Sequence, residues 1–318
     1  MRAIVLEDGL HVADVRPPIP EPDEAVIRVQ RAGICGTDLA ILGGYADVRG
    51  VLGHEFVGEV VEAEMAPQWL GRRVVAEINV ACGRCDRCRD GLGNHCSRRE
   101  VVGVRGRAGA MAEEVIVPVE NLHEVPDSVE DDAAVFVEPL AAAFRIAEQL
   151  DISQDTRVGV WGDGRLGLLI VMALATTGCA LTVVGRHEHK LALVRATGAT
   201  VRSTEDVLRA DFDVAIDATG TAQGFADAMA HVRPRGTVVV KSTLSEPLSI
   251  DPSRLVVDEI SVIGSRCGPF EPAIAALAAG TIDPRPLVDS VYPLSRGLEA
   301  FEHASRRGVL KVLLDPRR

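Results

Sequence analysis

The chain has 318 residues, enough for two domains. Its 47% hydrophobic and 25% charged residues are the balance of an ordinary globular protein. A formal net charge of −12 weighs against a nucleic-acid or anionic-membrane binder, since phosphates require a basic surface.

Met1–Leu10 carries Arg2, Glu7 and Asp8 with no apolar run behind it, so no secretory leader is expected and the location expected is cytoplasmic. Aromatics make up 3%, which predicts an aliphatic core, and only Lys190, Lys241 and Lys311 among the 34 basic residues are lysines. Short β-branched runs follow at Ala3–Leu6, Ala25–Ala32, Phe56–Ala63, Arg73–Ala76 and Glu113–Pro118. Gly and Pro clusters such as Pro17-Pro18-Ile19-Pro20 separate them, predicting a partly open β-barrel. Asp131 to Gln149 then reads as one long apolar-periodic helical region.

From about Thr156 the pattern alternates. Strands are expected at Arg157–Trp161, Leu181–Val184, Val214–Asp217, Thr237–Lys241 and Ser261–Ile263, with helices at Arg165–Thr176, His187–Thr197, Ala222–Val232 and Pro252–Leu255. This is the grammar of a doubly wound parallel sheet. The uncharged stretch Leu166–Gly185 is long enough to suggest a membrane span. Thr176, Thr177 and Gly178 interrupt it, so it reads as a buried helix, a turn and a buried strand. The tail adds helices at Glu271–Ala279 and Arg296–Arg306 and a strand at Leu310–Leu314. The expected division is 1–130, 131–266 and 267–318, an α/β chain with a barrel, a dinucleotide-binding sheet and a returning segment.

Four of the seven cysteines, Cys82, Cys85, Cys88 and Cys96, lie within fifteen residues at C-x2-C-x2-C-x7-C spacing. Such spacing lets four thiolates wrap one tetrahedral Zn²⁺ and leaves no open position, so a structural site is expected. Arg84, Arg87, Arg89, Arg98 and Arg99 flank it and would offset its negative charge. Disulfides and a nucleic-acid-binding zinc ribbon are the competing readings. A second donor set is spread out: Cys35-Gly-Thr37-Asp38, Gly53-His54-Glu55 and Glu138-Pro139-Leu140. Cys, His and Glu suit an open, catalytic zinc. Thr37 is placed to take a substrate proton, and Asp38 to orient His54.

Gly162-Asp-Gly164-Arg165-Leu166-Gly167 follows a strand and opens a helix, the context of a dinucleotide fingerprint. The next strand ends at Gly185 and Arg186, where NAD-specific sites carry an acid. A small residue leaves room for a 2′-phosphate and an arginine would grip it, with His187 and Lys190 assisting, so NADP(H) is expected over NAD(H).

These features, in this order, resemble the zinc alcohol dehydrogenase branch of the medium-chain dehydrogenase/reductase family. So do Gly53-His54-Glu55-Phe-Val-Gly58, Ala108-Gly-Ala-Met-Ala-Glu113, Asp217-Ala-Thr219-Gly220 and Gly308-Val-Leu-Lys311-Val-Leu-Leu. The resemblance spans essentially the whole chain. It implies a GroES-like catalytic domain and a Rossmann domain. A dimer or tetramer paired near Ile260–Gly264 and a small-molecule alcohol or carbonyl substrate are implied too. It implies a catalytic zinc on Cys35, His54 and either Glu55 or Glu138, a structural zinc on the four clustered cysteines, and Thr219 at the coenzyme. Glu138, where classical alcohol dehydrogenases carry cysteine, is similar to the polyol, sugar and threonine dehydrogenases. One departure is Ala40, where some relatives have a histidine that passes the proton to solvent; water or Glu55 would then substitute. Substrate contacts are expected near Leu42, Tyr45, Cys267 and Phe270. The alternatives are an NADPH-dependent reductase of a specialised aldehyde or ketone, and a non-catalytic coenzyme-binding protein.

Overall fold

In the computed structural model, residues 1–44, 47–206, 211–243 and 247–318 are described. The chain forms two compact units, Met1–Glu138 with Ile274–Arg318, and Pro139–Ala273.

The first unit is built on a seven-stranded sheet. Its strands run in the order Leu122–Glu124, Arg73–Ala76, Glu55–Glu62, Glu24–Gly33, Lys311–Asp315 and Val288–Pro293, with Glu114–Pro118 also pairing with Glu24–Gly33. The long central strand Glu24–Gly33 bends through two register shifts against Glu55–Glu62. Such bulges sharpen twist and allow a sheet to curl toward closure. Every residue of Lys311–Asp315 is buried, so the C-terminal strand is an interior element of this sheet. Ile27, Val29, Leu52, Met111, Phe301 and Leu314 belong to its hydrophobic, mainly aliphatic core, each under 5% exposed. Full burial of a side chain of this size stabilises by about 1.5–3 kcal/mol.

The second unit holds a six-stranded sheet in the order Thr200–Ser203, Ala180–Gly185, Arg157–Trp161, Phe212–Asp217, Val232–Val240 and Ser261–Gly264. All five pairings are parallel. In chain order this is 3-2-1-4-5-6, the arrangement of a Rossmann sheet, whose order reverses at its first strand. The uncharged stretch resolves as helix Arg165–Ala175, buried continuously from Gly167 to Leu174, and strand Ala180–Gly185. Among the described residues no helix is long and apolar enough to cross a membrane.

The region expected as one helix from Asp131 to Gln149 is two, Asp131–Ala134 and Val137–Gln149. Pro139 has no N–H to offer the carbonyl of Val135 and its ring would crowd that carbonyl, so the helix stops and restarts with proline in its first turn. All three lysines are buried: Lys190 is 5% exposed, Lys241 9% and Lys311 0%.

Candidate metal centres and coenzyme cleft

Strand register assembles the first site. Gly33 pairs with Glu55 on one side and with Leu313 on the other. The chain leaving Gly33 therefore carries Cys35 past the residues entering Glu55, and Lys311 lies on the adjoining strand. Cys35 caps the helix Gly36–Leu42: its Sγ accepts from Thr37 N–H at 3.5 Å, while Asp38 Oδ2 accepts from Cys35 N–H at 2.8 Å. This capping box fixes thiol and carboxylate together. Asp38 is fully buried, and its Oδ1 lies 3.4 Å from His54 Nδ1. The ligand atoms of Cys35, His54 and Glu55 all lie within 4.8 Å of one another.

The electrostatics favour a cation here. Burial alone would depress the His54 imidazole, yet the negative groups of Asp38 and Cys35 outweigh it and hold His54 well above its ordinary range. Glu55 is 1% exposed and bonds through Oε2 to the ammonium of Lys311, which is fully buried and sits 5.5 Å from the centre of the Phe136 ring. A half-buried thiol with a buried imidazole and a buried carboxylate around one centre fits a zinc ion with a position left open.

The second site is a closed one. Cys82, Cys85, Cys88 and Cys96 place their sulfurs within 4.8 Å of one another. Cys85 Sγ is 3.4 Å from Cys88 Sγ and 3.8 Å from Cys96 Sγ; Zn–S bonds of ~2.3 Å in a tetrahedron require about 3.8 Å between sulfurs. Backbone N–H groups of Ser97 and Cys88 pull the Cys85 thiol down to about 5, and those of Arg84 and Cys85 lower Cys82. Cys88, shielded from water and crowded by the sulfurs of Cys85 and Cys96, is pushed up to about 12. Thiolate is thus already favoured at part of the cluster, as metal binding needs. Of the flanking arginines, Arg87 donates to His95 O at 2.9 Å and Arg99 to Asn94 O at 2.6 Å, tying the loop across itself, while Arg89 pairs with Asp86.

In the second unit a cleft of about 260 Å³ opens at the strand ends. Gly162, Gly164, Arg186, His187 and Thr219 line it, at the point where a Rossmann sheet binds dinucleotides. A Cβ on Gly167 would meet Gly162 O at 2.1 Å, so only glycine lets the helix pack this closely on the turn. Thr219 Oγ1 donates to Asp217 Oδ1 at 2.7 Å. Asp163 Oδ2 accepts from the N–H groups of Arg186 and His187, both at 2.7 Å, and lies 3.0 Å from His187 Nδ1.

Residues 21–127 match the alcohol dehydrogenase GroES-like domain, and residues 166–279 the zinc-binding dehydrogenase domain. The L-threonine 3-dehydrogenase of Streptomyces coelicolor is 32% identical over 343 residues, covering 99% of each chain. The chain belongs to the zinc-dependent alcohol dehydrogenase branch of the medium-chain dehydrogenase/reductase family. The sorbitol dehydrogenase of Halalkalibacterium halodurans is 29% identical over 322 residues, covering 94% of this chain and 93% of its own. A zinc-binding dehydrogenase from Sinorhizobium meliloti, solved bound to NADP, superposes with a TM-score of 0.91 at 29% identity and 99% coverage of both chains. The protein is therefore an oxidoreductase of the NAD(P)-linked, zinc-dependent type.

Within this family member, Cys35, His54 and Glu55 come together, with Thr37 and Asp38 beside them. Glu138 is not one of this trio; it stands in the first turn of the helix Val137–Gln149. Arg165 and Leu166 open the helix behind the glycine loop and do not line the cleft; neither does Lys190, which is buried in Glu188–Leu191. Leu42 is exposed, Phe270 is buried, and Tyr45 lies outside the described residues. Two residues acquire parts that their motifs did not announce. Lys311 belongs to a recognisable C-terminal run, and its buried position beside Glu55 depends on strand order. Asp163 is a variable position of the glycine fingerprint, and its reach to the next strand end depends on side-chain packing.

Proposed function

We propose that the protein oxidises a secondary alcohol flanked by a further polar group, of the polyol, sugar or hydroxy amino acid class, with a nicotinamide coenzyme. The observation that carries this reading is the Cys35–His54–Glu55 trio, its His54 and Glu55 buried and its Cys35 half-buried, with Thr37 at its edge. Cys35, His54 and Glu55 would hold one zinc, and Cys82, Cys85, Cys88 and Cys96 a second. When bound, the first zinc supplies Lewis-acid stabilisation of an alcohol oxygen and the coenzyme supplies the hydride acceptor. Asp38 orients His54 through Nδ1 and anchors the Cys35 backbone. Thr37 Oγ1 takes the hydroxyl proton of the substrate, and with alanine at position 40 that proton leaves through water. Sorbitol and threonine as the named substrates of relatives support the substrate class.

The coenzyme argument has two sides. Arg186, exposed at the cleft wall, and the NADP-bound Sinorhizobium relative favour NADP(H). Asp163, at the same wall, favours the unphosphorylated coenzyme. The edge strand Ser261–Gly264, with exposed Val262 and the neighbouring exposed Val256 and Val257, supports pairing of two copies there.

The test is coenzyme reduction by zinc-loaded protein on simple alcohols, polyols, aldoses and L-threonine. Turnover with one class is expected. Thr37→Val should lower kcat/KM by about 10²–10⁴-fold, with zinc content and coenzyme binding unchanged. A fully active Thr37→Val would end the assigned proton role. Silence across the panel, with zinc and coenzyme bound, would overturn the alcohol-oxidation reading in favour of a dedicated carbonyl reductase.

A further inference from the structure

The strand Ala180–Gly185 ends at the position where a dinucleotide-binding sheet usually presents an acid to the adenosine ribose. Gly185 offers no side chain. The space is nonetheless filled: a Cβ built on Gly185 would lie 2.7 Å from both Cβ and Oδ2 of Asp163. Asp163 comes from the preceding loop, between Gly162 and Gly164, and its carboxylate occupies the volume that an acid at position 185 would take. Glycine at 185 and aspartate at 163 are therefore one arrangement, in which the loop side chain requires the strand end to be bare.

The bonding of Asp163 defines what the site can accept. Oδ2 takes the N–H groups of Arg186 and His187 and faces the His187 ring. Successive backbone N–H groups of this kind form a nest that would otherwise receive an anion; here the anion belongs to the chain. Among the described residues no protein donor is bonded to Oδ1, and Asp163 lines the cleft. Burial would raise this carboxyl, but the N–H groups of His187 and Arg186 and the His187 ring outweigh it and hold Asp163 below its usual range. It is a carboxylate at neutral pH. A 2′-phosphate entering this wall would meet a fixed, partly buried negative charge and find the backbone donors taken. The opposing attraction is one exposed guanidinium, Arg186, whose charge is screened by solvent.

We infer that Asp163 is the selectivity residue of the coenzyme cleft, a ribose-binding acid relocated from the strand end to the glycine loop, so that the site prefers NAD(H) to NADP(H). Oδ1 accepts from a ribose hydroxyl while Oδ2 keeps the turn Gly185–His187 in place. The inference rests on the dinucleotide-binding reading of this cleft, and it reverses the expectation drawn from Gly185 and Arg186.

The experiment is equilibrium binding to the full chain, NADH and NADPH by fluorescence titration, AMP and 2′,5′-ADP by calorimetry. The parent protein should bind NADH at least tenfold more tightly than NADPH, and AMP more tightly than 2′,5′-ADP. Asp163→Asn retains an oxygen for the backbone N–H groups and removes the charge. It should shift the NADH/NADPH ratio at least tenfold, mainly by strengthening NADPH. A parent preference for NADPH would overturn the inference, and so would an Asp163→Asn protein that weakens both coenzymes equally, which is the signature of turn anchoring alone. The parent ratio is decisive even if a variant fails to fold. A clear NADH preference in a protein that turns over no alcohol would sink the proposed reaction and leave this inference standing. Failure to bind either coenzyme would end both.

Discussion

Replacing Lys311 by methionine isolates the energetics of the catalytic-site candidate. The ammonium is fully buried and Glu55, its partner, is 1% exposed. Removing one member of such a pair leaves an uncompensated charge in a medium that solvates it poorly, which costs about 3–5 kcal/mol. A unit of this size changes its melting temperature by about 2–4 °C per kcal/mol. Chelator-treated Lys311→Met should therefore melt roughly 6–20 °C below the parent. The loss should shrink when zinc is restored, because a cation beside Glu55 replaces the missing ammonium. The double variant Glu55→Gln with Lys311→Met removes both charges and should recover most of the chelated-state loss, since a buried pair is worth little against a neutral replacement. Calorimetry on the parent, Glu55→Gln, Lys311→Met and the double variant, with and without zinc, completes the cycle. A chelated Lys311→Met within about 2 °C of the parent, about 1 kcal/mol at most by the same scale, would refute the buried-charge argument. A double variant as unstable as the single one would do so independently.

Two further outcomes follow from the electrostatics. Cys96→Ser takes away the buried sulfur that accepts from Cys82 N–H and Arg98 N–H; metal analysis should then fall from two zinc ions per chain to one, with NADH binding intact, and retention of two ions would contradict the four-thiolate site. Asp315 is 2% exposed and pairs with Arg31 at 2.7 Å. Burial opposes its ionisation, but the Arg317 N–H and the charge of Arg31 prevail and lower it. A carboxyl lowered on folding contributes stability that is complete above the unfolded value of about 3.9 and is lost as pH falls through the folded value. Asp315→Asn should therefore lower stability at pH 7 and flatten its decline below about pH 4; parallel pH profiles for the two proteins would refute this.

The two-unit architecture was legible because periodicity survives translation into packing. The β-branched runs became sheet, the strand–helix alternation became a 3-2-1-4-5-6 parallel sheet, and the cysteine spacing became a sulfur cluster. Local chemistry misled where one residue overrode a pattern. The apolar periodicity from Asp131 to Gln149 is continuous, yet Pro139 divides it. Non-local chemistry was the harder part. Nothing near Gly185 indicates that its missing side chain is supplied by Asp163, twenty-two residues earlier. Likewise the pairing of Glu55 with Lys311, 256 residues apart, exists only because the last strand lies beside the strand that ends at Gly33. Spacing encodes sites made by one loop; sites made by strand neighbours become visible with the sheet order.

The burial of all three lysines gives the folded protein a surface whose positive charge is carried by guanidinium groups. Side-chain amines meet little solvent until the chain opens. Acylating reagents should then modify Lys190 and Lys241 through openings of the second unit and Lys311 through those of the first, at rates set by the free energy of each opening. The natural sequence thus carries a chemical reporter in each unit, one that reads local stability by mass spectrometry without an added probe.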